Sequence, residues 1–168
     1  MKVQDVMTKG VESCGRNTNL AAAAMIMWRM DCGAVPVVSD DRREVVGMIT
    51  DRDICVAAAT QHKRADEIRV GEIISGTVYK VRPGDDIRAA LEAMRSERVR
   101  RLPVVGPAGL LGIISINDIV LAAGKSVGRA RPEITAEDVL EVMKAICEHD
   151  GGLDVARRKA GQHVSTHA

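Results

Sequence analysis

Apolar residues recur along this chain in an order that appears twice. A short run around Val11 predicts a strand, and Thr18 stands where a helix cap belongs. Leu20, Ala24 and Met27 follow at four-then-three spacing, the apolar stripe of a helix. AVPVV at 34–38 predicts a second strand. Ser39, Asp40 and Asp41 predict a turn, VVGMIT at 45–50 a third strand, and DRDICVAAA from 51 a second helix. The same succession then returns. Val78 replaces Val11, Asp85 the cap, and Ile87, Leu91 and Met94 the stripe. LPVV at 102–105, a turn through Gly106, Pro107 and Gly109, LLGIIS at 110–115 and INDIVLAA at 116–123 complete it.

Sliding the chain along itself until Val3 meets Val70 sets VQDVMT on VGEIIS and TNLAAAAMIM on DDIRAALEAM. A short gap in the turn then realigns Gly47 with Gly112, Thr50 with Ser115 and Asp53 with Asp118. Each copy reads as β-α-β-β-α. A unit of about sixty residues is marginal alone, so the expected fold is α/β. Two repeats pack as a pseudo-twofold pair, sheet against sheet around a shared core, with a cleft between them. Repeat 1 spans 1–60, a polar linker 61–69, and repeat 2 spans 70–124. Residues 125–168 hold a linker (KSVGRARPE), a helix capped by Thr135 and Asp138 and ended by Gly151-Gly152, and a polar tail. Leu140, Met143 and Cys147, with Val139 and Ile146 beside them, give that helix an apolar face, which is expected to dock on its own module or on a second copy.

Composition changes this picture in one respect. The 168 residues include one Trp, one Tyr and no Phe, so the core is aliphatic, and methyl groups and backbone are expected to grip any ring-shaped ligand. A net charge of +1 provides no global field for nucleic acid. No apolar run is long enough to span a membrane, and the start lacks the look of a secretory signal. Four scattered cysteines then read as reduced, and the expected location is cytoplasmic.

The doubled motif, GMITDRDI at 47–54 and GIISINDI at 112–119, carries the candidate chemistry. A hydroxyl with an aspartate three residues on can be a capping box, although that box prefers Glu or Gln where both copies hold Asp. The shorter carboxylate stays nearer the cleft. There it can accept hydrogen bonds from both hydroxyls of a ribose, at a helix N-terminus that favours phosphate.

Tandem units of this kind, GAVPVV…GMITDRDI and RRLPVV…GIISINDI, resemble a pair of CBS domains, over roughly residues 1 to 124. The layout is similar to small stand-alone bacterial CBS-pair proteins of the hypoxic-response type. The resemblance implies a regulatory, signal-transducing module and an adenosine-containing ligand: AMP, ADP, ATP, NAD or S-adenosylmethionine. It implies that Thr50, Asp53, Ser115 and Asp118 hold ribose. Val11, Val35 and Pro36, and Val78, Leu102 and Pro103, would contact adenine. It also implies homodimers.

The copies are unequal. RVRR at 98–101 has no basic counterpart in repeat 1, and Arg52 has none in repeat 2. Strand alternation places Arg100 and Arg101 on opposite faces, so at least one looks into the cleft. Arg52, Arg100 and Arg101 are the phosphate candidates. No catalytic residue is expected, since the histidines (His62, His149, His163, His167) fall outside the repeats and no nucleotide-hydrolase, dinucleotide-fold or serine-hydrolase motif occurs. Cys55 and Cys147 are expected in cores. A zinc site at Cys147-Glu148-His149 lacks further ligands, so no metal and no required cofactor are expected, only a regulatory adenine nucleotide. The alternative is a structural dimerisation scaffold whose empty clefts act on a partner protein; in either case an effector protein is a possible partner.

Overall fold

The β-branched runs become strands and the capped stripes become helices, in the expected order. In this computed structural model, residues 1–74, 77–124 and 133–148 are described. Strands are β1 (Thr8–Lys9), β2 (Cys14–Gly15), β3 (Ala34–Val38), β4 (Val45–Thr50), β5 (Arg101–Gly106) and β6 (Gly109–Ser115). Helices are α1 (Leu20–Arg29), α2 (Asp51–Thr60), α3 (Ile87–Glu97), α4 (Ile116–Ala122) and α5 (Ala136–Cys147). Two three-stranded sheets form, in the orders β2-β3-β4 and β1-β6-β5. Each contains the expected antiparallel hairpin, β3 with β4 and β5 with β6.

The strands expected at Val11 and Val78 lie elsewhere. Gly10, at φ 66°, turns the chain between β1 and Val11, and pairing resumes only at β2, which runs parallel to β3 at Val37 and Val38. In repeat 2 the counterpart is a single bridge from Val81 to Val104. The helix caps sit one residue later than expected, because the turn before each helix takes the first polar side chain. Thr18 accepts from the Gly15 N–H at 3.1 Å and Asp85 from the Arg82 N–H at 2.7 Å. Asn19 and Asp86 are left to cap α1 and α3. The buried stripes are Leu20, Ala23 and Met27, and Ile87, Ala90, Leu91 and Met94; Ala24 is only half-buried.

The two repeats do not share one core. One apolar cluster gathers Leu20, Met27, Val35, Val37 and Ile49 of repeat 1 with Ile68 and Val70. The other gathers Ile87, Met94, Leu102, Ile114 and Ile119 of repeat 2 with Val3. The segments that align in sequence, VQDVMT and VGEIIS, have thus changed places. Val3 and Gln4 donate to the carbonyls of Asp85 and Pro83 at 3.0 Å, and β1 pairs with β6. In return Val70 and Gly71 donate to the carbonyls of Thr18 and Arg16 at 2.8 and 2.9 Å. This reciprocal exchange ties the repeats together more tightly than the linker alone.

Helix α5 docks on its own module, against α3 and α4. Its buried face is Val139 and Val142 with Met143 and Ile146 partly covered, while Leu140 stays 53% exposed and Cys147 is exposed. The apolar arc is therefore rotated from the one expected, because Leu140 projects about 100° around the helix from Val139. Thr135 and Asp138 form the expected capping box, and the Arg88 guanidinium reaches Asp138 Oδ1 at 3.2 Å. The expected stop at Gly151-Gly152, the polar tail and the linker residues 125–132 lie outside the described residues.

Cys55 and Cys147, both expected in cores, are exposed together with Cys32. Only Cys14 is buried, and burial pushes its thiol up to about 11. Thiolate attack at neutral pH is accordingly suppressed there. In native protein at pH 7.5 (~ the working range of thiol reagents), Cys32, Cys55 and Cys147 should label with a maleimide well before Cys14, as peptide mass spectrometry would reveal. Labelling of Cys14 at the same rate would place it outside the repeat 1 core.

Candidate functional site: two clefts between the repeats

Each β-hairpin delivers its second strand to a helix N-terminus, where the hydroxyl–aspartate pair sits. The Thr50 N–H and hydroxyl both donate to Asp53 Oδ2, at 3.0 and 2.6 Å, and the Asp53 N–H donates to Thr50 Oγ1 at 3.2 Å. Ser115 and Asp118 repeat the arrangement at 2.7, 2.6 and 3.3 Å. Both pairs are therefore capping boxes, and Asp serves as the third residue despite being shorter than Glu. The box uses one carboxylate oxygen. Asp53 Oδ1 accepts from no described residue, and Asp118 Oδ1 accepts from the Thr8 hydroxyl at 3.3 Å, delivered by the exchanged strand β1.

Both pairs open onto clefts. The Asp53 cleft, of about 680 Å³, is lined by Thr50, Asp53 and Met48 of repeat 1 and by Val78, Tyr79 and Val99 of repeat 2. The Asp118 cleft, of about 330 Å³, is lined by Ser115, Asp118 and Ile113 of repeat 2 and by Val11, Ala34 and Pro36 of repeat 1. These sizes suit small molecules, whose sites run roughly 300–1,000 Å³. Each cleft thus joins the hydroxyl–aspartate pair of one repeat to the apolar wall of the other.

The structure divides the adenine candidates. Val11, Pro36 and Val78 line clefts. Val35 and Leu102 do not offer side chains: they are 1% and 0% exposed, inside the two cores. Strand alternation is the cause, because it turns Val35 and Val37, and Leu102 and Val104, towards the helices. Pro103 is buried in β5 and lines neither cleft.

Arg52, Arg100 and Arg101 all line the Asp53 cleft, with Arg98. The expectation that Arg100 and Arg101 face oppositely assumed a strand through both. Instead Arg98 ends α3 in the left-handed region, at φ 54°, and β5 begins only at Arg101, so alternation does not reach Arg100. Arg101 also lines the Asp118 cleft. It lies beside Gly33, where an added Cβ would come 3.5 Å from its Nη2 and 2.8 Å from Asp51 Oδ2.

Several lining residues escaped the sequence. Tyr79 brings the one tyrosine to the Asp53 cleft, against the expectation of an aromatic-free grip; its place beside Val78 was the available signal. Asp51 lines the same cleft, while Thr8, Glu12, Asp31 and Cys32 line the other. Glu12, Asp31 and Cys32 lie outside the matched segments, and Thr8, although it ends the matched VQDVMT, carries no sign of the cleft it reaches. Among the described residues no group of three or more His, Cys, Asp or Glu side chains is placed to hold a metal ion. His149, of the weighed zinc triplet, lies outside the described residues, as do His163 and His167.

Residues 3–59 and 70–125 each match the CBS domain. The chain belongs to the CBS-domain family. As a CBS pair it is 33% identical over 144 residues to hypoxic response protein 1 of Mycobacterium tuberculosis (strain ATCC 25618 / H37Rv), covering 86% of this chain and 92% of that protein. It is 30% identical over 139 residues to the CBS domain-containing protein YhcV of Bacillus subtilis (strain 168), covering 82% and 97%. The solved structure of Hypoxic Response Protein I, which carries two coordinated zinc ions, is 34% identical with a TM-score of 0.65, covering 72% of this chain and 98% of that one. The CBS pair of MJ0100, solved with 5′-methylthioadenosine and S-adenosyl-L-methionine, shares the fold at 24% identity and a TM-score of 0.64, covering 72% and 94%. CBS pairs are in general regulatory rather than catalytic, and some bind adenosine compounds. No helix among the described residues is long and apolar enough to cross a membrane.

Proposed function

We propose that this CBS pair is a regulatory module that binds adenosine-containing ligands (AMP, ADP, ATP, NAD or S-adenosylmethionine) in the clefts between its repeats. The observation that carries this reading is the crossed construction of each cleft, which puts a hydroxyl–aspartate pair opposite an apolar wall from the other repeat. The capping box leaves a carboxylate oxygen for ribose, and an ionised carboxylate accepts at about four sites in all. Thr50, Asp53, Ser115 and Asp118 hold the sugar, Val11, Pro36 and Val78 flank the base, and Arg52, Arg100 and Arg101 hold phosphate. A ligand spanning both repeats shifts their relative arrangement by its differential affinity for the two states. No group in either cleft is assigned a catalytic role. Exposed Trp28, Met25 and Val56 on α1 and α2, and Val120 and Leu121 on α4, support a homodimer. The module works in the cytoplasm on an effector protein.

A second reading, a scaffold that binds no ligand, is favoured by the capping boxes, which give both aspartates a purely structural task. Calorimetry with the panel of five ligands separates the two. Under the sensor reading, Asp53→Ala and Asp118→Ala each abolish one site. A charge-assisted hydrogen bond is worth about 1.5–3 kcal/mol, or about ten- to a hundredfold in Kd per bond. Under the scaffold reading the wild type binds none of the five, and the same substitutions only lower stability, by about 0.5–1.5 kcal/mol for each capping-box hydrogen bond lost to the carboxylate.

A further inference from the structure

The two clefts are equivalent by sequence repeat and opposite in charge. The Asp53 cleft sets Arg52, Arg98, Arg100 and Arg101 against Asp51 and Asp53. The Asp118 cleft sets Glu12, Asp31 and Asp118 against Arg101 alone. Outside that lining, Arg29 compensates Glu12 at 2.7 Å and leaves the acidic excess to Asp31 and Asp118. The acidic cleft is also about half the volume, 330 against 680 Å³.

We propose that the clefts sort adenosine compounds by the charge of the 5′ substituent. The Asp53 cleft takes the phosphorylated compound, and the Asp118 cleft takes one whose 5′ group is uncharged or cationic, such as a thioether or sulfonium. This rests on the adenosine reading above and deepens it. Planar guanidinium groups match phosphate oxygens in geometry and charge, and several converge only in the Asp53 cleft. A phosphate in the Asp118 cleft meets carboxylates instead, and like charges brought together in a partly dehydrated site disfavour the wrong ligand as added contacts favour the right one. A sulfonium meets the reverse: Asp31 and Asp118 attract it where the arginines of the other cleft repel it.

Calorimetry on the full chain, with ADP and S-adenosylmethionine titrated singly and then each into protein saturated with the other, tests the assignment. Both should bind wild type, and saturation with one should leave the Kd of the other within about threefold, since the sites are separate. The Arg52→Ala/Arg100→Ala variant should weaken ADP by about ten- to a hundredfold and leave S-adenosylmethionine unchanged. Asp31→Asn should weaken S-adenosylmethionine by about threefold or more and leave ADP unchanged. If the two ligands compete, or if one variant weakens both alike, charge sorting is wrong and the adenosine reading stands. If neither ligand binds wild type, and adenosine and 5′-methylthioadenosine fail as well, the adenosine reading itself falls and takes this one with it.

Discussion

Replacing Leu102 by Ala should cost about 2–5 kcal/mol of folding stability without weakening ligand binding by the folded protein. Leu102 follows Arg101 on the strand that borders the Asp53 cleft, and the resemblance to CBS pairs implies an adenine contact for it. Its side chain points the other way. It is fully buried among Ile87, Met94, Ile114 and Ile119 of the repeat 2 core. Truncation removes transfer free energy and leaves a cavity among aliphatic side chains, and a close-packed interior relaxes only partly around such a void. Against a total stability of about 5–15 kcal/mol the loss is large, and a urea titration would show it as a fall in midpoint at unchanged slope. Binding at a temperature where the variant is still folded supplies the second half of the test. Loss of affinity with little loss of stability would return Leu102 to the ligand. The same contrast applies to Val35, its repeat 1 counterpart in the other core.

Leu102 illustrates what the repeat pattern conveys and what it omits. The hairpins, the long helices and both hydroxyl–aspartate pairs were legible, because each rests on local rules: alternating β-branched residues, three-four spacing, and a cap with its partner three residues on. The caps moved by one residue only because a preceding turn claimed Thr18 and Asp85 first. Facing was less legible. An all-apolar run such as AVPVV has no polar residue to mark its outer side, so Val35 and Pro36 look alike in sequence and part company in space. The Arg98–Arg101 run fails for a related reason: the left-handed residue at Arg98 breaks the two-residue alternation before the strand starts. The segment exchange was the least legible feature. Alignment of VQDVMT with VGEIIS shows that the two are equivalent, and equivalence is preserved when they trade places. Yet that exchange is what brings Thr8 to Asp118 in its cleft.

The exchange also predicts that two aligned glycines differ sharply in tolerance, Gly112→Ala costing about 1–3 kcal/mol and Gly47→Ala clearly less. Each glycine lies where a segment from the exchange crosses a hairpin. At Gly112 the neighbour is main chain: an added Cβ would run into the Thr8 carbonyl oxygen and come 3.4 Å from the Lys9 Cα. Backbone in a paired strand cannot yield alone, so β1 must leave β6, and its pairing at Thr8–Ile113 and Lys9–Gly112 goes with it. At Gly47 the close atom is the Cδ1 end of Ile74, at 2.7 Å, which can rotate away; the rest of that side chain stands at 3.3 Å or more. Urea denaturation of the two variants gives the comparison of stabilities. Amide hydrogen exchange locates the damage: in Gly112→Ala, protection at the N-terminal segment should collapse while α1 and β3 keep theirs. Release of β1 also frees Asp118 from Thr8 and opens one wall of its cleft, so S-adenosylmethionine binding should weaken in Gly112→Ala and persist in Gly47→Ala. Equal stability of the two variants, with the N-terminal amides still protected, would show that β1 does not lie against β6 and would remove the structural basis for Thr8 in the Asp118 cleft.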